Sequence, residues 1–190
     1  MSAMGERRRI LVTGTSGGIG GAVREAARAD GWDVTELNRA GFDAELGTEP
    51  FDAVVFSTGT CPVKPLTMLT EEELGETFGV NCGLFVKLMR RLVREKLVGE
   101  AGMKVVAVSS ASATEGWPGG VAYCASKGAL SAACRALNEE LKPRGIAVMA
   151  IEPRHVKTRM FDRCAGRMGV DPKQAQDPRE LAAEILEKVR

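Results

Sequence analysis

Short runs of aliphatic residues alternate along the chain with longer stretches of helical periodicity. Five such runs predict β-strands, at 9–13, 33–37, 52–57, 103–109 and 146–151. The run at 103–109 is apolar almost throughout and does not alternate with polar residues. That pattern is typical of a parallel strand whose two faces are both covered by helices.

Four stretches predict helices, at 18–30, from Thr70 toward Leu97, at 122–141 and at 178–190. In the second stretch, Thr70 and Glu73 form a capping-box pattern, and an apolar face that includes Leu74 and Phe78 follows. Strands separated by helices in this order predict the α/β class. We expect a doubly wound, mostly parallel sheet with helices on both faces.

The length of 190 residues predicts one domain over 1–190. Segment 40–50 is too short for a further helix-and-strand unit. Segment 160–176 has no clear period, so we predict an irregular short lid there, whose Met160, Phe161, Cys164 and Met168 either line an apolar pocket or serve packing alone.

Charge and cysteine content narrow the class of protein. Lysine and arginine total 26 against 25 acidic residues, and a net charge of +1 gives no reason to expect nucleic acid or a membrane surface as partner. No apolar run approaches the roughly 18 residues of a membrane span. The five cysteines are widely spaced and form no C-x-x-C pair, which predicts neither a disulfide framework nor a metal site and favours a reducing, cytoplasmic setting.

A glycine-rich string, TGTSGGIG at 13–20, lies between the first predicted strand and the first predicted helix. Glycines there let the backbone approach a pyrophosphate, whose charge meets free N–H groups at the helix N-terminus. A purely structural turn is the alternative, and the flanking strand and helix favour phosphate binding. The residues expected to bind are Gly14, Thr15, Ser16, Gly18, Ile19 and Gly20.

A tyrosine and a lysine four residues apart carry the candidate chemistry. Tyr123 and Lys127 fall on one face of the helix predicted at 122–141. A lysine beside a tyrosine favours the phenolate by charge, which suits the pair to acid–base work near neutral pH. Ser110, at a strand end, can donate to a substrate oxygen that becomes negative.

The end of the second strand bears on the cofactor. An acidic residue there would accept a hydrogen bond from a ribose 2′-hydroxyl, whereas this chain has Asn38 and Arg39. Arg39 can pair with a 2′-phosphate through its planar guanidinium. We therefore expect NADP(H) rather than NAD(H), the alternative being that Arg39 is an ordinary surface residue.

Taken together, these motifs resemble those of the short-chain dehydrogenase/reductase family over about residues 8–158. The matching strings are TG and GIG within 13–20, VNCG at 80–83, SS at 109–110 and YCASK at 123–127. The first string also fits the family's longer, sugar-modifying branch of epimerases and dehydratases. The remaining strings and the short chain favour the reductase branch.

The resemblance implies a Rossmann fold and an NADP(H)-dependent oxidoreductase that transfers hydride between nicotinamide and a carbonyl or secondary alcohol. Tyr123 would be the acid/base, Ser110 would orient the substrate, and Lys127 would also hold the nicotinamide ribose. Asn81 would kink its helix and hold a water that relays protons, although a helix-packing amide is an equal alternative. Homodimers or homotetramers are common in the family.

The resemblance also implies further cofactor contacts. Asp43 would contact the adenine, unless it is a solvated loop acid. Tyr123 and Lys127 belong to this set as well, and its other members are Ser57, Gly59, Pro153, Val156 and Thr158.

The chain departs from the family pattern in three places. Ser57 replaces the usual asparagine after the third predicted strand. Arg154 replaces a glycine that in the family lies beside the nicotinamide, so we expect the arginine side chain either to crowd the substrate pocket or to bind an acidic substrate. The chain also stops before the family's seventh strand. A second hypothesis is therefore an NADP(H)-binding regulatory or scaffold protein with little turnover.

Overall fold

Five parallel strands form one sheet in the computed structural model, which describes residues 8–190. They lie in the order β2-β1-β3-β4-β5, and every hydrogen-bonded neighbour is parallel. The described residues contribute no strand after β5. The predicted fold class is confirmed. The strands are β1 (Arg9–Thr13), β2 (Asp33–Leu37), β3 (Ala53–Phe56), β4 (Met103–Val108) and β5 (Ile146–Ile151).

Helices cover both faces of the sheet, because successive strand residues point to opposite sides. Ile10 and Val12 of β1 pack with residues of α1 and α6, whereas Leu11 packs with residues of α3 and α4. The helices are α1 (Gly18–Ala29), α2 (Glu71–Phe78), α3 (Leu84–Arg94), α4 (Val121–Leu141), α5 (Arg159–Met168) and α6 (Pro178–Val189). None of them is long and apolar enough to cross a membrane.

The helix expected from Thr70 toward Leu97 is interrupted. The capping box of Thr70 and Glu73 is present, but the π-helical segment Gly79–Gly83 separates α2 from α3. Leu74 and Phe78 were expected on the buried face, and that expectation is wrong, since they are 38% and 37% exposed. The wider π turn shifts the apolar face, so only α3 carries it into the core.

The expectation of an irregular lid at 160–176 is wrong for its first half, which forms α5. Thr158 caps this helix by accepting a hydrogen bond from the Phe161 backbone N–H, and Gly169 ends it in the left-handed conformation at φ +66°. Phe161 and Cys164 of this helix are buried. A short 3-10 turn at Pro172–Gln174 follows before α6.

The strand order places the candidate site. The chain builds β2 on one side of β1 and β3 on the other, so the connections leaving β1 and β3 diverge at the carboxyl edge of the sheet. Open α/β sheets bind ligands at such a switch point. The glycine-rich turn, the loop after β3 and the end of β4 all meet there.

Candidate active site

The glycine-rich turn between β1 and α1 is built by close backbone approach. Gly14 has φ +70°, and a Cβ added there would lie 2.9 Å from the Thr58 backbone nitrogen. A Cβ at Gly20 would lie 2.4 Å from the Gly14 carbonyl oxygen and 2.5 Å from Ser57 Oγ. Only glycine fits either position, so the turn requires both.

The N-terminus of α1 is open toward this edge of the sheet. The residue before the helix is Gly17, which has no side chain with which to cap it, and Ser16, Gly17 and Gly18 are exposed. The first backbone N–H groups of a helix lack internal partners and attract anions. Ile19 lines the neighbouring cleft. The turn therefore fits a pyrophosphate.

Hydroxyl groups tie the ends of β1 and β3 together. Thr13 Oγ1 accepts hydrogen bonds from the backbone N–H groups of Ser57 at 3.1 Å and Thr58 at 3.2 Å. Ser57 Oγ donates to the Thr13 carbonyl at 2.6 Å. These bonds hold the ends of β1 and β3 together at Ser57, the position where the family usually has asparagine.

A cleft opens beside this edge and brings predicted residues from four parts of the chain together. Ser110 follows β4, Tyr123 lies on the first turn of α4, and α5 covers the far side. The lining residues that sequence reasoning singled out are Ile19, Ser110, Tyr123, Pro153, Val156 and Thr158, with Met160, Phe161, Cys164 and Met168 of the expected lid.

Lys127 is buried next to Tyr123 and is held by the sheet. Its Nζ donates to the Val108 carbonyl at 2.7 Å and lies 5.7 Å from the centroid of the Tyr123 ring. Burial lowers the pKa of Lys127 to about 8. Burial also raises the pKa of Tyr123, and the Ser110 hydroxyl opposes that shift. The expectation that lysine charge favours the phenolate is therefore outweighed here by burial of the tyrosine.

Asn81 lies inside the π-helical segment and joins three elements. Its Oδ1 accepts from the Thr60 backbone N–H at 2.7 Å, and its Nδ2 donates to the Thr60 carbonyl at 2.9 Å and to Ser126 Oγ at 2.8 Å. A Cβ added to Gly59 would lie 3.3 Å from Asn81 Oδ1 and 3.8 Å from Lys127 Nζ. The amide therefore fixes the loop after β3 beside the lysine.

Charged pairs surround the end of β2. Arg39 donates to Glu76 of α2 at 2.7 Å, and the two side chains are about half exposed. Asp43 pairs with Lys87 at 2.5 Å on the surface. Asn38 Oδ1 accepts from the Thr15 hydroxyl at 3.2 Å, which joins this edge to the glycine-rich turn.

Sequence reasoning missed an acid at the same edge. Glu36 precedes the last residue of β2, and Arg28 and Arg24 contact its carboxylate at 2.8 Å and 3.4 Å. The Thr15 hydroxyl, and then the charge of Arg24, hold the pKa of Glu36 below its usual range. The spacing of Arg24 and Arg28, one helical turn apart on α1, is the sequence signal that predicts such a clamp.

The segment after β5 closes the other side of the cleft. The Pro153 carbonyl accepts a hydrogen bond from the Ala111 N–H at 3.0 Å. Val156 is buried and forms an isolated parallel β-bridge with Gln176. Arg154 points to Glu115, with bonds of 2.6 Å and 3.2 Å. Thr158 packs against the start of α1: a Cβ at Gly18 would lie 2.7 Å from its methyl group.

No group of three His, Cys, Asp or Glu residues within 8–190 is arranged to hold a metal ion.

Comparison with known proteins adds the family. The model of the short chain dehydrogenase family matches residues 36–167, which is more than half of the chain. The chain belongs to the short-chain dehydrogenase family. It is thus an oxidoreductase of a family that binds NAD or NADP, and the predicted membership is confirmed.

Relatives and solved structures agree with this assignment. L-xylulose reductase from Bos taurus is 27% identical over 179 residues, which cover 80% of this chain and 73% of the relative. L-2,3-butanediol dehydrogenase from Corynebacterium glutamicum is 26% identical over 189 residues, with the same coverage. A short chain dehydrogenase from Burkholderia cenocepacia J2315, solved in complex with NADP, is 26% identical with a TM-score of 0.80, covering 96% of this chain and 90% of that one.

Proposed function

We propose that this dehydrogenase is NADP(H)-dependent and interconverts a carbonyl and a secondary alcohol, with Tyr123 as the acid/base. The observation that supports the proposal is that Ser110 and Tyr123 line one cleft, with Lys127 buried behind the tyrosine. The cleft adjoins the open N-terminus of α1. When bound, the cofactor supplies or accepts a hydride.

The protonation states suit reduction. Burial raises the pKa of Tyr123, so the phenol carries its proton at neutral pH and can give it to a substrate oxygen that is becoming negative. Ser110 Oγ accepts from the Ser112 N–H at 3.1 Å, and its own proton, which is directed at the Tyr123 oxygen, can be donated to the same substrate oxygen when substrate is bound. In the reverse direction the phenolate would take the proton from an alcohol.

Lys127 is assigned a positioning and proton-holding role. Its Nζ faces the loop after β3 at Gly59, where we expect the nicotinamide ribose, and its pKa of about 8 leaves most of it protonated at neutral pH. Asn81 is assigned to hold that loop through Thr60. The remaining cofactor contacts are proposed for Gly14, Thr15, Ser16, Gly18, Ile19, Gly20, Asn38, Arg39, Asp43, Ser57, Gly59, Pro153, Val156 and Thr158.

Turnover with NADPH and a panel of ketones, aldehydes and quinones tests the proposed reaction. Tyr123→Phe should lower kcat by about a hundredfold or more while NADPH binding is retained. Thr114→Ala, which removes an exposed hydroxyl near Ser110, is the matched control and should keep its turnover. NADPH binding without turnover across the panel would instead favour a regulatory or scaffold protein.

The preference for NADP(H) rests on Arg39. Its partner Glu76 is on the surface, so a 2′-phosphate can compete for the guanidinium. Glu36, the acid that could repel such a phosphate, is already paired with Arg24 and Arg28.

Dissociation constants for NADPH and NADH in two variants test this preference. Arg39→Ala should weaken NADPH binding and leave NADH binding unchanged. Glu76→Gln releases Arg39 and removes a negative charge, so it should strengthen NADPH binding alone. An unchanged NADPH/NADH ratio in both variants would refute the preference.

Assembly and setting complete the proposal. α3 and α4 carry exposed small or aliphatic residues, among them Val86, Ala132 and Ala136, and we propose that they pack in a homodimer or homotetramer. Light scattering tests the oligomeric state.

The five cysteines are free thiols, which supports a reducing, cytoplasmic setting. Cell fractionation tests this setting.

A further inference from the structure

Two thiols from distant parts of the chain meet in the wall of the cleft. Cys61 lies on the loop after β3 and Cys164 on α5, 103 residues apart in sequence. Their Sγ atoms are 3.5 Å apart, and both residues line the cleft that contains Ser110 and Tyr123. We call this pair the cleft dithiol.

The two sulfurs are not equivalent. The hydrogen bond between the two sulfurs raises the pKa of the Cys61 thiol and lowers that of the Cys164 thiol. The charge of Arg163 adds to the lowering at Cys164. Thiolates, not thiols, are the nucleophiles in sulfur chemistry, so Cys164 is placed to react first and Cys61 to resolve.

We propose that the cleft dithiol is a reversible modification site, at which a peroxide oxidises Cys61 and Cys164 to a disulfide that fastens α5 to the loop after β3. A disulfide needs sulfurs about 2.05 Å apart, so they must approach by about 1.5 Å from their present separation. Because Cys61 lies on the loop after β3 and Cys164 on α5, this approach draws α5 toward that loop.

The chemistry balances with hydrogen peroxide as the oxidant. The Cys164 thiolate attacks one peroxide oxygen, the O–O bond breaks, and a sulfenic acid forms as the other oxygen leaves as water after protonation. The Cys61 sulfur then attacks the sulfenic sulfur, and the second oxygen leaves as water. In sum, two thiols and one peroxide give one disulfide and two waters, and a dithiol reductant reverses the change.

The disulfide would restrict the site. α5 also brings Met160 and Met168 to the cleft, and a Cβ on Gly59 would lie 4.0 Å from the Met160 methyl group. Fastening α5 there narrows the space beside Gly59 and Tyr123. This effect on turnover rests on the proposed function, whereas formation of the disulfide does not.

Peptide mapping of the peroxide-treated full chain tests the site directly. Trypsin leaves Cys61 and Cys82 in one peptide, 40–87, because Pro65 protects the bond after Lys64, and it releases Cys164 in 164–167. The Cys82→Ser variant therefore makes the assignment unambiguous. We expect a linked pair, 40–87 with 164–167, that is two hydrogens lighter than its parts and disappears with dithiothreitol.

Matched variants separate the outcomes. Cys61→Ser and Cys164→Ser should each abolish the link, and Cys124→Ser, which removes the thiol next to Tyr123, should retain it. Absence of the link, or a link through Cys124 instead, would overturn the proposal.

A second readout concerns the cleft. If the carbonyl panel yields a substrate, oxidation should lower turnover about tenfold or more, and dithiothreitol should restore it. A mapped disulfide with unchanged turnover would refute the effect on the cleft. A mapped disulfide in a protein that never turns over a carbonyl would leave the dithiol established and contradict the proposed reaction.

Discussion

Replacing Lys127 by methionine should change the pH dependence of stability. The side chain is 5% exposed, and burial lowers its pKa from the ordinary 10.5 to about 8. Below about pH 8 the ammonium is charged in both states, so the native state carries the full cost of burying it. This difference in pKa corresponds to about 3 kcal/mol of stability. Removing the ammonium also removes its hydrogen bond to the Val108 carbonyl, worth about 1 kcal/mol, so the net gain in stability is smaller.

The sign of the pH effect follows from the lowered pKa. Between about pH 8 and 10.5 the native lysine loses its proton before the unfolded one, so the unfolded state binds more protons and wild-type stability rises with pH. Lys127→Met should therefore be more stable than wild type by about 2 kcal/mol near pH 7. By about pH 9.5 that advantage should shrink by about 2 kcal/mol.

Urea unfolding of both proteins at about pH 7 and pH 9.5 provides the measurement. Lys104→Met, which removes an exposed lysine from β4, is the control for loss of a lysine that is not buried. A Lys127→Met difference that does not change with pH would refute the reasoning, since buried charge would then not be its source.

Two further substitutions test the turn and the helix cap. Gly20→Ala places a Cβ 2.4 Å from the Gly14 carbonyl oxygen and should weaken NADPH binding, measured by calorimetry. Gly75→Ala in α2, where a Cβ meets nothing within 4 Å, is the control and should bind NADPH as wild type does. Wild-type affinity in Gly20→Ala would contradict the role of the glycine-rich turn. Thr70→Ala breaks the capping box and should lower the free energy of unfolding by about 1 kcal/mol in urea titrations, and an unchanged value would show that the cap is not needed.

Much of the fold follows from local pattern. The strands match their predicted runs to within one residue. Short apolar runs bounded by turn residues form strands in most α/β proteins, so the local pattern is sufficient to predict them. The cap at Thr70 is equally local. α5 was missed although Thr158 and Gly169 mark its ends, because its exposed face is strongly polar and its apolar face is short.

The properties of the candidate site depend on burial and on long-range contacts, which residue spacing does not predict. Tyr123 and Lys127 are four residues apart, which places them on one face, but the pKa of each depends on how deeply the fold buries it. The partner of Arg39 is 37 residues away, and the partner of Cys61 is 103 residues away. Such long-range pairs are set by the packing of α2 and α5, which no local motif encodes.

Isotope transfer tests the central claim most directly. The substrate is reduced with NADPH in which deuterium replaces both hydrogens on the hydride-donating carbon of the nicotinamide. The alcohol product should then carry one deuterium on the former carbonyl carbon, which mass spectrometry and NMR detect. In Tyr123→Phe the rate of this transfer should fall by about a hundredfold or more with NADPH still bound. Alcohol formed without deuterium at that carbon, or transfer at the wild-type rate in Tyr123→Phe, would contradict hydride transfer with Tyr123 as the acid.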